Sequence, residues 1–246
     1  MPTSGRANTI IVPKDASYPP SPYFLEPIVT LTWAAAFTQR VRLGTSVLVL
    51  PMRHPLPLAK ELASLQCLSE GRLILGAGVG WLEAEFAALG VPFRERGRRM
   101  DESLALLRAL WSEDPVSFEG RHIAAEIREM RMLPQPSPPI PIWIGGGSEA
   151  AIRRALAQGE GWHGSRLSPA AARPVAQRLK RESKNPGFVV SLRANWEGKD
   201  EDELKSRLFA YHEAGIDHLL IQPTERTIDE WLYAVERVAR AGEGLG

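Results

Sequence analysis

The clearest hydrophobic pattern in the chain is a strand, a helix and a second strand in quick succession. Val41-Arg42-Leu43-Gly44-Thr45-Ser46-Val47-Leu48-Val49-Leu50 is β-branched and apolar on both faces, which predicts a buried parallel strand. Pro51 ends it. Pro55 and Pro57 stand where a helix can begin, and Leu58, Leu62 and Leu65 then recur at helical spacing. Ser69-Glu70-Gly71 reads as the C-cap, and Arg72 to Gly78 returns as a strand. A parallel return through a helix is a βαβ unit.

The alternation continues. Arg98 to Trp111 predicts an amphipathic helix with Met100, Leu104, Leu107 and Trp111 on one face. Val116 to Ile123 predicts a hairpin turning at Glu119-Gly120. Met132 to Pro141 is a proline-rich ordered approach to the strand Pro141 to Ile144. Gly145-Gly146-Gly147-Ser148 then opens a helix over Glu149 to Gln158. Later strands are predicted at Gly161 to His163, Phe188 to Ala194 and His218 to Gln222. The helices between and after them run from Pro169 to Glu182, Glu201 to Glu213 and Ile228 to Arg240. An early strand at Thr9 to Val12 brings the total to about seven. Alternating strands and helices over residues 1–246, with no linker, predict one α/β domain: a closed (β/α)8 barrel or an open doubly wound sheet.

The 246 residues suit a single barrel. With 30 Lys+Arg against 29 Asp+Glu, the net charge of +1 argues against a broad nucleic-acid-binding face. The longest apolar stretch, Val41 to Met52, contains Arg42, Thr45 and Ser46 and is too short to span a bilayer. The start, Met1 to Asn8, has no signal-like apolar core, so the expected location is the cytoplasm. The single cysteine, Cys67, excludes an internal disulfide framework and is expected in the core on the inner stripe of its helix.

In either architecture a ligand site lies at the C-terminal ends of the strands. Gly76-Ala77-Gly78-Val79-Gly80-Trp81 leaves one such end. Its glycines either let backbone N–H groups approach a phosphate or flat ring, or serve tight strand-to-helix packing. Gly145 to Ser148 offers N–H donors, a helix dipole and a hydroxyl, which favours an anion; the alternative is a flexible connection with Ser148 as N-cap. Thr45-Ser46 are polar residues within a buried strand and need partners. His54 beyond that strand is either a general acid or base, or a loop cap. His122, His163, His212 and His218 make no metal-ligand spacing. A phosphate-binding lyase or isomerase would need a catalytic Lys or carboxylate at a strand end, whereas Lys60 is on a helix and Lys199 precedes one.

Taken together, Val41 to Thr45, Arg53-His54-Pro55, Ala59-Lys60, Leu68 to Arg72, Leu75 to Trp81, Glu85-Phe86, Arg98 to Glu102, Pro138 to Gly146 and Gly159 to Trp162 resemble the bacterial luciferase-like monooxygenase superfamily, especially its deazaflavin-dependent oxidoreductases. The resemblance implies a (β/α)8 barrel with an insertion at roughly 112–140, often as a homodimer. It implies deazaflavin coenzyme F-420 or FMN across the strand ends, and hydride transfer to or from a small organic substrate, or reduced flavin acting with oxygen. It puts a non-prolyl cis peptide at Ser46-Val47, the ring and ribityl chain beside Gly78, Gly80 and Trp81, the phosphate on Gly145, Gly146, Gly147 and Ser148, and a neighbouring wall at Gly161 and Trp162. No metal, membrane or nucleic-acid partner is implied.

Two departures stand out. Relatives begin with a strand and helix ahead of the segment matching Thr9 to Val12, so seven strands are expected here where a barrel needs eight. Many deazaflavin-using relatives also carry Asp-His where this chain has Asn8-Thr9, neither of which is a useful base at neutral pH. The alternative function is therefore a homologue that binds cofactor without turnover, or that needs a partner chain to complete it.

Overall fold

Between Val41 and Leu50 the chain forms two short strands rather than one. They are β1 (Leu43–Gly44) and β2 (Leu48–Val49), followed by a 3-10 turn over Leu50–Met52. The computed structural model describes residues 25–196, 200–223 and 227–243. The strand expected at Thr9 to Val12, the Asn8-Thr9 pair and Lys199 lie outside the described residues. The described residues group into two units, divided after Ile142.

In the first unit, β1 and β2 both run parallel to β3 (Leu73–Gly78), with Leu43 opposite Leu73 and Leu48 opposite Ala77. The crossover is α2 (Pro55–Leu68), as its proline start and leucine spacing predict. Its buried face carries Leu58, Ala59, Leu62, Ala63, Leu65 and Gln66. Each buried leucine contributes about 1.5–3 kcal/mol relative to exposure. Gln66 ties the helix end to its surroundings: its carbonyl accepts from Leu73 N–H at 3.0 Å, and its amide donates to Pro138 O at 2.8 Å. Cys67, one step further round the helix, is exposed and not in the core. The helix closes at Ser69, and Glu70 and Gly71 take positive φ.

α3 (Glu83–Ala88) is followed by α4 (Arg96–Ser112), which buries the predicted Met100, Leu104, Leu107 and Trp111 face. The Trp111 indole donates to Ala59 O at 3.1 Å. The predicted hairpin exists with a longer turn. β4 (Val116–Glu119) pairs antiparallel with β5 (Glu126–Met130), not with Arg121 to Ile123. Glu102 explains the difference: its carboxylate takes the N–H groups of Arg121, His122 and Ile123 at 2.7–3.1 Å, so those donors are unavailable to a strand.

One helix was not legible in the pattern: α1 (Pro27–Phe37), capped by Glu26, whose carboxylate accepts from Val29 N–H at 2.8 Å. It has no charged residue, so apolar and polar positions show no helical period. It buries Ile28 and Ala35, and Arg72 holds its end through the carbonyls of Ala35, Thr38 and Val41.

In the second unit, β6 (Ile142–Gly145), β7 (Gly161–Ser165), β8 (Val189–Trp196) and β9 (His218–Pro223) lie side by side and parallel. The helices between and after them are α5 (Glu149–Gln158), α6 (Pro169–Glu182), α7 (Glu201–Glu213) and α8 (Ile228–Ala241). Trp196, Leu204, Leu208, Ala234 and Ala241 form a buried cluster between α7, α8 and the sheet. Six of the seven predicted parallel strands are thus present among the described residues, and each unit is an α/β assembly.

Candidate functional site

In the first unit the Ser46-Val47 peptide is cis, at the position the resemblance implies. It lies between β1 and β2, alongside β3. Thr45 finds its partner there, donating to Gly76 O at 2.7 Å. The glycines of β3 allow this approach. A Cβ on Gly76 would sit 1.9 Å from Thr45 O, and one on Gly78 would sit 2.5 Å from Val47 Cγ2. Gly80 has φ +80°, and a Cβ there would meet Val49 Cγ1 at 2.7 Å and Phe86 Cε2 at 2.8 Å. The glycine run therefore admits the neighbouring strand and helix, which is the packing alternative. Trp81 beyond it is half exposed.

His54 is the N-cap of α2. Its Nδ1 accepts from Leu56 N–H at 3.3 Å, and its Nε2 lies 3.0 Å from Ala124 O, which fixes the proton on Nε2. Both ring nitrogens are engaged, so the capping role is the one the geometry supports.

The corner Gly145 to Ser148 ends β6 in the second unit and starts α5. Gly145 is buried, while Gly146, Gly147 and Ser148 are exposed. Gly146 has φ +117°, and nothing lies within 4 Å of where a Cβ on Gly147 would stand. Ser148 caps α5, its hydroxyl accepting from Ala151 N–H at 3.2 Å. The corner is braced from behind. Trp162 is fully buried and donates its indole N–H to Gly146 O at 2.7 Å. Trp162 is therefore a support for the corner rather than a wall open to solvent. Gly161, also assigned to that wall, is buried: a Cβ there would lie 2.6 Å from Val189 O and 2.7 Å from Trp143 Cδ1.

A polar row crosses the same sheet. His163, Ser191 and His218 are opposite one another in register on β7, β8 and β9. Ser191 Oγ is 2.9 Å from Nδ1 of each histidine. One hydroxyl proton serves one side only, so one histidine accepts from Ser191 and the other donates to it. Burial, with the charges of Arg193 and His218, pushes His163 down to about 4, so it is neutral at pH 7. Two residue pairs further along, Arg193 donates to Ser165 Oγ at 3.2 Å, and Arg166 N–H donates to Arg193 O at 2.9 Å. Burial, then the neighbouring Arg166 charge, lowers the Arg193 pKa. Neither the row nor these two cations was singled out from the sequence. The available signal was Ser191, Arg193 and Asn195 inside the otherwise apolar strand Val189 to Trp196.

The profile of the luciferase-like monooxygenase family matches residues 8–226. This chain belongs to the luciferase-like monooxygenase family. An uncharacterised protein of Mycobacterium tuberculosis is 36% identical over 164 residues, covering 67% of this chain and 56% of its own. An F420-dependent glucose-6-phosphate dehydrogenase of Kineococcus radiotolerans is 40% identical over 139 residues, covering 55% of this chain and 40% of its own. The luciferase-like chain thus spans 56% and 40% of the lengths of these two relatives. The solved structure of an F420-dependent secondary alcohol dehydrogenase has a TM-score of 0.76 at 16% identity, covering 88% of this chain and 84% of the other. The fold is accordingly the α/β barrel class of the luciferase-like family. Among the described residues of this luciferase-like chain, no group of three His, Cys, Asp or Glu is placed to hold a metal, and no helix is long and apolar enough to cross a membrane.

Proposed function

We propose that this chain is a deazaflavin-dependent oxidoreductase that takes coenzyme F-420, with FMN as the competing ligand, and acts on a small organic substrate. The observation that carries the reading is the open corner at Gly146-Gly147-Ser148. Exposed N–H groups at the start of a ten-residue helix, with no side chain in the way, suit a phosphate on both charge and hydrogen-bonding grounds. The similarity to an F420-dependent dehydrogenase favours the deazaflavin over FMN.

Within this reading Gly147 donates its backbone N–H to the phosphate, the Gly146 N–H being held by His163 O at 3.4 Å, and Ser148 holds the helix start in place. Trp162 fixes the direction of the Gly146 carbonyl. Ser46, Val47, Gly78, Gly80 and Trp81 are assigned to the ring by the family resemblance. When bound, the deazaflavin supplies a two-electron hydride carrier. The contribution of the protein is to orient the reacting partners and keep water out. The second reading, binding without turnover, is favoured by Asn8-Thr9 standing where deazaflavin-using relatives carry Asp-His.

The test is a titration with F-420 and with FMN, followed by fluorescence quenching and thermal shift, on the unaltered chain and on Gly147→Asp. A carboxylate at this open position repels a phosphate without a packing clash. The expected result is stabilisation by F-420 that falls at least tenfold in affinity in Gly147→Asp. Equal affinity in the two proteins would remove the phosphate from this corner. Turnover with F-420 and alcohol, aldehyde or sugar-phosphate substrates separates the enzyme from the binding-only homologue.

A further inference from the structure

The strands of the second unit divide their side chains between two faces. In β8, Val190, Leu192, Ala194 and Trp196 alternate onto the side of α7 and α8, where Trp196 packs with Leu204, Leu208 and Ala234. The intervening Ser191, Arg193 and Asn195 lie on the other face. Register places Ser165 of β7 beside Arg193, and Gln222 of β9 beside Asn195. Toward the C-terminal ends of the strands this second face is therefore polar. Ser165, Arg193, Asn195 and Gln222 bring a hydroxyl, a guanidinium and two amides, and none of them is acidic. Arg193 is half-buried, and its Nη2 donates to Ser165 Oγ at 3.2 Å, which lays the guanidinium along the face. Arg166, next after Ser165, is exposed and takes φ 60°, a left-handed conformation uncommon for a residue with a side chain. Its N–H donates to Arg193 O at 2.9 Å, so the fold gathers two cations at one strand end. They are close enough that the Arg166 charge, after burial, lowers the Arg193 pKa.

We propose that Arg193 and Arg166 hold the anionic group, a carboxylate or a phosphate monoester, of the small organic substrate. The inference rests on the oxidoreductase reading and adds the class of substrate to it. A guanidinium offers a flat fork of N–H donors that takes either group through two parallel hydrogen bonds. The amides of Asn195 and Gln222 supply neutral donors on the same face. The donor assigned to the cofactor phosphate, at Gly147, stands at the end of β6, two strands away from β8. The arginine pair is therefore left for a second anion. An anchor remote from the reacting carbon lets binding energy serve to orient the substrate.

The test is calorimetric titration of the full chain with two matched pairs of probes: 3-hydroxybutyrate against its methyl ester, and glycerol 3-phosphate against glycerol. At least one acid is expected to bind tenfold or more tightly than its neutral counterpart. Arg193→Gln should remove that preference, and Arg166→Gln should weaken it severalfold. Arg193→Lys should keep part of it, because the charge stays and the fork is lost. Circular dichroism shows which variants fold, and the exposed Arg166 supplies a readout even where Arg193→Gln does not. Equal affinity for the acids and their neutral counterparts would overturn the proposal. So would a preference untouched by both glutamine variants. The titrations are repeated with saturating F-420, where acid binding is expected to persist. Displacement of the acid by F-420 would assign the arginines to the cofactor and overturn the proposal equally. Failure of the cofactor reading is seen separately, as no F-420 binding with the preference for the acid intact.

Discussion

Trp162 and Gly146 are sixteen residues apart, yet the indole N–H of the first donates to the carbonyl of the second at 2.7 Å. A fully buried aromatic side chain thereby sets the geometry of an exposed corner. In Trp162→Phe a smaller ring stays, the donor is lost and a cavity is left in a fully buried site. The expected cost is about 2–3 kcal/mol of stability, with a weaker grip on F-420 at the corner. Chemical denaturation and the cofactor titration check the two parts. Unchanged cofactor affinity would confine Trp162 to a packing role.

Gly76 offers the opposite case to Gly147. A methyl group at Gly76 would stand 1.9 Å from Thr45 O, whereas none of the structure is within 4 Å of one at Gly147. Gly76→Ala must push β1 away from β3 and is expected to cost about 3 kcal/mol or more, while Gly147→Ala changes stability by less than about 0.5 kcal/mol. Parallel melts of the two variants decide it.

His163 makes stability depend on pH. Its ordinary value of 6.5 falls to about 4 in the fold, because burial, then Arg193 and His218, disfavour the charged ring. The unfolded chain therefore binds the extra proton first. Stability is highest above about pH 6.5 and is lost as pH falls from there toward 4, by about 2 kcal/mol between pH 7 and pH 5. His163→Gln should flatten urea-denaturation midpoints across that interval. An unchanged slope would show that the ring is not responsible.

Glu102 controls the turn between β4 and β5. Burial raises its pKa, but the N–H groups of His122, Arg121 and Ile123 outweigh that and hold the carboxyl below its usual 4.5. Its anchoring is fully present above that value and is lost as pH falls below it. Glu102→Ala releases the turn, and tryptic cleavage after Arg121 should accelerate severalfold at pH 8 with only a small change in melting temperature. Cleavage at the unaltered rate would argue that the turn is held by other contacts.

The local elements follow from neighbouring residues alone. α5 and α7 begin and end where their patterns place them, because a cap such as Ser148 and an apolar stripe at helical spacing act within four residues. The βαβ order and the glycine-dense corners are legible for the same reason. The tertiary structure decided which atoms those glycines make room for. Gly76 and Gly78 face Thr45 and Val47, some thirty residues away, and Ser191 joins two histidines that come from different strands. It also turned Cys67 outward, set β5 later than expected, and produced α1 from a segment with no charge to mark its faces. Such contacts depend on strand register and on the approach of distant backbones, and neither is encoded in the spacing of neighbouring residues.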